Sequence, residues 1–181
     1  EGAAPRRAFP VAERPMIDGA YARLMARYNR WQNENLYGVA AQLSDDERRR
    51  ERGAFFGSVH KTLNHLLWAD RMWMSRFSDL PRPPGGLSES VMLCPEWAAL
   101  ARERTAMDAT IIDWADTLDD AWLTGDLTWF SGAANREFSK PRWGLVAHFF
   151  NHQTHHRGQV HAMLTQAGGK PGDTDLMLMP E

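Results

Sequence analysis

Between Leu80 and Pro95 the chain carries Pro81, Pro83, Pro84, Gly85, Gly86 and Pro95, a composition that neither a helix nor a strand can run through. Helical periodicity is strong on both sides of it. From Ile17 the apolar residues Tyr21, Leu24, Tyr28 and Trp31 recur at steps of three and four, predicting an amphipathic helix to about Leu43. Ser44-Asp45-Asp46-Glu47 has the Ser-x-x-Glu form of a capping box and predicts a short turn before Gly53. A second long helix is expected over about Ala54 to Phe77, on the stripe Val59, Leu63, Leu66, Trp73 and Phe77. Pro95 suits the first turn of a third, whose seam is Trp97, Leu100, Arg104, Met107, Ile111, Trp114 and Leu118, polar only at Arg104. Between Thr124 and Lys140 the pattern loosens into a short hairpin or an irregular loop. Pro141 opens a fourth helix that Gly168, Gly169 and Pro171 stop near Ala167. The expected fold is therefore all-α: a four-helix bundle over residues 16–181, with a long crossover loop between helices 2 and 3 and an N-terminal extension at 1–15.

Charge and composition exclude several functions. The 181 residues carry 21 basic and 23 acidic side chains, a formal charge of −2, which supplies no general basic field for nucleic acid. Arginines cluster near the N-terminus and over Arg48–Arg52, but no nucleic-acid partner is expected. No apolar run reaches the roughly 18–20 residues of a membrane helix, and Glu1–Pro15 lacks the apolar core of a secretory leader. A lone cysteine, Cys94, precludes an internal disulfide and a cysteine-rich zinc site, so a reducing, cytoplasmic setting is the expectation.

The histidines are where the composition departs from the ordinary. Five of the seven (His148, His152, His155, His156 and His161) fall on the fourth helix. At about 100° per residue, His156 lies roughly 40° and His152 roughly 80° from the apolar direction of that helix, whereas His148 and His155 lie about 120° or more away. His152 and His156 are thus the pair aimed inward, while His148, His155 and His161 belong to the surface or an interface. Two inward imidazoles one turn apart fit a hydrogen-bonded core pair, a metal-binding pair or a proton-transfer pair. Each buried ring needs partners for its nitrogens, and one metal ion satisfies both rings at once. A third ligand would come from a facing helix, and the second helix offers His60 and His65; periodicity does not choose between them.

Asn151-His152 through His156-Arg157-Gly158-Gln159, read as N-H-x-x-x-H-R-G-Q, resembles the last-helix signature of the DinB/YfiT-like superfamily. Leu63-Asn64-His65-Leu66-Leu67-Trp68-Ala69-Asp70-Arg71-Met72-Trp73 resembles its second-helix segment, and Pro171-Gly172-Asp173-Thr174-Asp175 its exit from the fourth helix. The resemblance covers about Met16 to Glu181. It implies a four-helix bundle with a divalent metal, zinc or nickel foremost and iron or copper also suited, held by His65, His152 and His156. It also implies a homodimer and, from characterised relatives, a metal-dependent transferase acting on a low-molecular-weight thiol and an electrophilic small molecule. Metal-dependent hydrolysis at the same site and a non-enzymatic, metal-binding stress-response bundle are the alternatives.

Other residues have two readings each. Asp70 either orients a ligand imidazole or is a solvated partner of Arg71 or Arg76, the second being the expectation. Arg157 is expected to brace the loop beside Gly158 rather than meet a substrate carboxylate, and Gly158 to permit close helix approach. Trp68, Trp73, Trp129 and Trp143 either wall a pocket or fill the core. Cys94, with no base adjacent in sequence, is a weak nucleophile candidate.

Overall fold

A computed structural model describes residues 15–132 and 134–181; the expected extension at 1–15 lies outside these but for Pro15. Four long helices dominate: α1 (Gly19–Ala41), α3 (Val59–Phe77), α4 (Trp97–Thr117) and α6 (Arg142–Gln166). Two short ones, α2 (Asp45–Arg49) and α5 (Asp120–Leu123), sit in the connections. Side-chain caps fix several of the starts, whereas α4 and α6 begin without one. Asp18 caps α1 by accepting from the Tyr21 N–H, Ser44 caps α2 through Glu47 N–H, and Ser58 caps α3 through Lys61 N–H. The second long helix therefore begins at Val59 and not at Ala54. Gly57 holds φ at +83° immediately before the cap, a conformation closed to other residues, and a Cβ there would meet the Glu51 carboxylate at 2.2 Å.

Pairs of contacts fix the helix directions. Asp70 meets Arg104 and Phe77 meets Trp114, so α3 and α4 run parallel. His65 meets His156 and Phe77 meets Phe149, so α3 and α6 are antiparallel. Tyr21 meets Phe150 and Asn29 meets Arg157, so α1 and α6 are parallel. α1 packs on α4 and α6, and α3 packs on the same two, closing a ring around one core. Because the Asp70–Arg104 contact sets Trp97 level with Leu63, the end of α3 and the start of α4 lie about 20 Å apart along the helix axes. The proline-rich crossover spans that distance, with a short 3-10 turn at Ser90–Met92. Leu63, Leu67, Leu100, Ile111, Phe149, Phe150 and Leu164 fill the interior.

The all-α expectation needs correction. Asp126–Ser131 (β1) and Arg136–Pro141 (β2) form a two-stranded antiparallel sheet, with Trp129 opposite Phe138. Leu127 and Trp129 turn inward while Thr128 and Phe130 face out, the alternation of a half-buried strand. The hairpin lays Trp129 against Trp73 of α3, ring centroids 5.7 Å apart. The protein is thus mostly helical with one small sheet. Gly158 also departs from expectation: it is exposed, and a Cβ there would meet nothing within 4 Å, so no close approach requires it. No helix among the described residues is long and apolar enough to cross a membrane.

Candidate metal centre

The antiparallel pairing of α3 with α6 brings His65 beside His152 and His156, three residues whose ring nitrogens lie within 4.8 Å of one another. His65 and His156 are buried, and His152 is half-buried. His60, the other candidate on α3, is 1% exposed and lies outside this cluster. Of the remaining α6 histidines, His148 and His155 are exposed and His161 partly so.

Hydrogen bonds to the far side of two rings decide which nitrogens face inward as lone pairs. The Ser90 hydroxyl donates to the Leu87 carbonyl at 2.7 Å, so towards His65 Nδ1, 2.9 Å away, it acts as acceptor. His65 therefore carries its proton on Nδ1 and leaves Nε2 bare. His156 Nδ1 lies 2.9 Å from Gln159 Oε1, an acceptor, which again places the proton on Nδ1 and the lone pair on Nε2. The Gln159 amide nitrogen is turned to His155 Nε2 at 3.2 Å, consistent with that orientation. His65 Nε2 and His152 Nε2 approach to 3.5 Å.

Electrostatics keeps the rings neutral. Burial, with His156 adding to it, pushes His65 down to about 4. Burial and then the surrounding imidazoles push His152 down to about 3. His156 is also lowered by burial, with the Gln159 hydrogen bond opposing. A proton between these lone pairs is therefore disfavoured at neutral pH. The donor set fits a divalent cation: neutral imidazoles, converging ring nitrogens, and acceptors behind two of them that orient the rings.

The walls are aromatic. Phe56 packs on His65 with ring centroids 4.0 Å apart and on His156 at 5.4 Å. Trp68 stacks near His65 at 6.2 Å and ties the crossover to α3 by donating its indole N–H to the Pro84 carbonyl at 3.0 Å. Trp73 and Trp129 continue the wall beyond His148, while Trp143 packs against the core.

Behind the histidines lies a buried polar network that overturns the expectation for Asp70. Asp70 is 1% exposed and accepts from Arg104 Nη1 at 2.6 Å and from Gln153 Nε2 at 3.0 Å; it is not a solvated partner of Arg71 or Arg76. Arg104 also pairs with Asp108 at 2.9 Å, which accepts from the amides of Asn29 and Asn33. Burial pushes Asp108 up to about 6 against the pull of Arg104. Arg157 is buried too, donating to Asn29 and Thr154, so it braces α1 and not the loop beside Gly158. The Cys94 thiol is buried and its pKa raised by that burial, which removes it as a nucleophile.

Ser90 and Phe56 carry the site and were not singled out in the sequence, because loops bring them in and no periodicity marks them. Asp70 had a signal: Arg104 is the lone polar residue on the α4 seam, and a buried guanidinium requires a buried carboxylate.

A family model described as the DinB family matches residues 16–181. Protein DinB of Bacillus subtilis (strain 168) is 25% identical over 170 residues, spanning 86% of this chain and 91% of the relative. Among solved structures, a DinB-like protein from Bacillus cereus ATCC 10987 superimposes with a TM-score of 0.59 at 18% identity, covering 79% of this chain and 90% of that one. This second likeness is one of fold. With the match running through every long helix described above, the chain belongs to the DinB family.

Proposed function

We propose that His65, His152 and His156 hold a divalent metal and that the protein is a metal-dependent transferase acting on a low-molecular-weight thiol and an electrophilic small molecule. The observation that carries this reading is the convergence of one ring nitrogen from each of the three histidines to within 4.8 Å of one another, with oxygen partners behind His65 and His156 that orient those rings. In this reading the four long helices are a four-helix bundle whose facing members supply the ligands. Zinc or nickel suits the site best, with iron and copper also compatible with imidazole.

Three protein ligands leave open positions, as in catalytic sites, where the cation lowers the pKa of a thiol or water placed there. The residues of the chain do the remaining work. Ser90 and Gln159 hold the rings in register. Phe56 and Trp68 exclude water from one side. The side at His152 and His148 stays open for entry. Transfer breaks the thiol S–H bond and the bond from the electrophilic carbon to its leaving group, and forms an S–C bond; the leaving group takes the electron pair of the broken bond and departs with the proton through this open side.

Elemental analysis of tag-free protein beside His65→Ala, His152→Ala and His156→Ala tests the first half of the proposal. Near-stoichiometric metal, lost in all three variants, is the expected result; protein that takes up no metal even after reloading refutes it. A panel of bacterial thiols with a chromogenic electrophile tests the second half. Turnover by the metal-loaded protein that exceeds His156→Ala supports transfer, whereas thiol-independent cleavage of ester probes would assign a hydrolase. A cytoplasmic homodimer completes the proposal, checked by sedimentation and by fractionation of cells.

A further inference from the structure

One arginine stands apart from the others along the wall that leads away from the histidines. Arg76 is half-buried, its guanidinium 4.5 Å over the Trp73 ring and 5.5 Å from that of Trp129. Among the described residues no carboxylate lies within 4.0 Å of it and no side-chain hydrogen bond engages it. Arg48, Arg52, Arg71, Arg104, Arg142 and Arg157, partly or fully buried, all have acceptors; half-buried Arg23 has no side-chain acceptor among the described residues either, but unlike Arg76 it is stacked on no aromatic ring there. The charged neighbour that acts on it is Arg82, a like charge, and together with burial this pushes Arg76 down to about 10. Two indoles thus fix a cation whose N–H edge has no acceptor from the protein.

Its position connects it to the candidate metal centre. Eleven residues separate His65 from Arg76 on α3, about three turns, so the two share a face about 16 Å apart along the axis. Ring contacts fill the interval without a break: His152 to His148 at 5.9 Å, His148 to Trp73 at 5.1 Å, and Trp73 to the guanidinium. These three successive contacts keep the gap from the His152 ring to the guanidinium within about 15 Å.

We infer that Arg76, set between Trp73 and Trp129, is a carboxylate-binding subsite, and that the substrate is an extended small molecule with its reacting end at the three histidines and a carboxylate at Arg76. The inference rests on the proposed function for the reacting end alone. A carboxylate matches the planar fork of the guanidinium, and the flanking indole surfaces disfavour the more strongly hydrated phosphate dianion.

Two titrations test it. Benzoate is titrated by calorimetry into metal-free protein and into Arg76→Gln, with inorganic phosphate as the parallel arm. Charge-assisted hydrogen bonds predict that Arg76→Gln weakens benzoate binding by roughly 10-fold or more. Equal binding by the two proteins, or none by either, overturns the subsite, and tighter binding of phosphate than benzoate overturns its assignment to a carboxylate. Unbranched ω-mercaptocarboxylates of increasing length, each beside its carboxamide, are then titrated into metal-loaded protein. The carboxylate should bind more tightly than the amide only once the chain spans on the order of 15 Å, and the gain should vanish in Arg76→Gln. A gain independent of length or of Arg76 refutes the placement. Failure of the metal proposal would remove thiol anchoring while leaving Arg76-dependent benzoate binding intact. Arg76→Lys, which keeps the charge without the fork, serves if the glutamine variant melts early; it should recover only part of the affinity, and full recovery would exclude bidentate recognition.

Discussion

Replacing Arg104 by methionine removes the one cation that stands between two carboxylates in the core. Asp70 and Asp108 are 1% and 3% exposed, and Arg104 touches them at 2.6 and 2.9 Å. After the substitution Asp70 keeps the Gln153 amide and Asp108 keeps Asn29 and Asn33, so neither is fully orphaned, but both negative charges lose their counter-ion. Breaking a buried pair from one side typically costs about 3–5 kcal/mol. For a domain of this size that corresponds to a fall in Tm of roughly 10 °C. Urea unfolding of metal-free protein at pH 7 measures the loss as a lower midpoint at unchanged slope. Its pH dependence is a second signature. Arg104 is what opposes the upward push of burial on the Asp108 carboxyl, so without it that pKa rises further, and the Asp108 part of the penalty is complete above it and disappears as pH falls and the group becomes neutral. The deficit should therefore shrink between pH 7 and pH 5. A deficit below about 1 kcal/mol at pH 7, or one that grows on acidification, would refute the view that Arg104 acts as a buried counter-charge.

Ser90→Ala removes the acceptor that holds His65 by Nδ1, and metal affinity measured by chelator competition should drop about 10- to 100-fold, while the metal-free protein loses about 1–3 kcal/mol for the buried N–H left unpaired. Because the folded pKa of His65 is depressed from 6.5 to about 4, the metal-free protein has its full stability above pH 6.5 and loses it as pH falls towards 4. The contribution from His65 is on the order of 2 kcal/mol by pH 5, read from urea midpoints at pH 7 and pH 5; His152 acts in the same direction. Asn135 holds φ at 48° beside β2, and Asn135→Gly should leave the melting temperature nearly unchanged where Asn135→Val lowers it by roughly 1–2 kcal/mol equivalent. Asp18→Ala forfeits the cap on α1 and should cost about 1 kcal/mol by the same denaturant assay.

The face arithmetic on the last helix ranks His156 ahead of His152 as the more inward ring, and the structure has the first buried and the second half-buried. That ranking works because a helix fixes direction by position alone. The same rule fails for Asp70, whose nearest arginines in sequence are Arg71 and Arg76, while its actual partner lies 34 residues away on a parallel helix. Sequence proximity favours the local pair, and burial reverses the choice. Residues 124–140 divide in a similar way: Leu127 and Trp129 do alternate with exposed neighbours, but six residues of alternation are too few to outweigh a helical chain around them. Ser90 and Phe56 lie in segments whose course depends on which helices are neighbours, and that information is tertiary.

The separation of the histidines along the chain has a consequence for biosynthesis. His152 follows His65 by 87 residues, and the two meet only through the pairing of α3 with the last long helix. At about 5–20 residues per second, a ribosome exposes the first histidine roughly 4–17 s before the second. Throughout that interval His65 is a solitary imidazole on an unfinished scaffold, unable to chelate with its partners. Binding of one ion by all three rings would thereby wait until His156 has emerged and α6 has docked on α3, and an ion captured at that point would lock the closing helix in place.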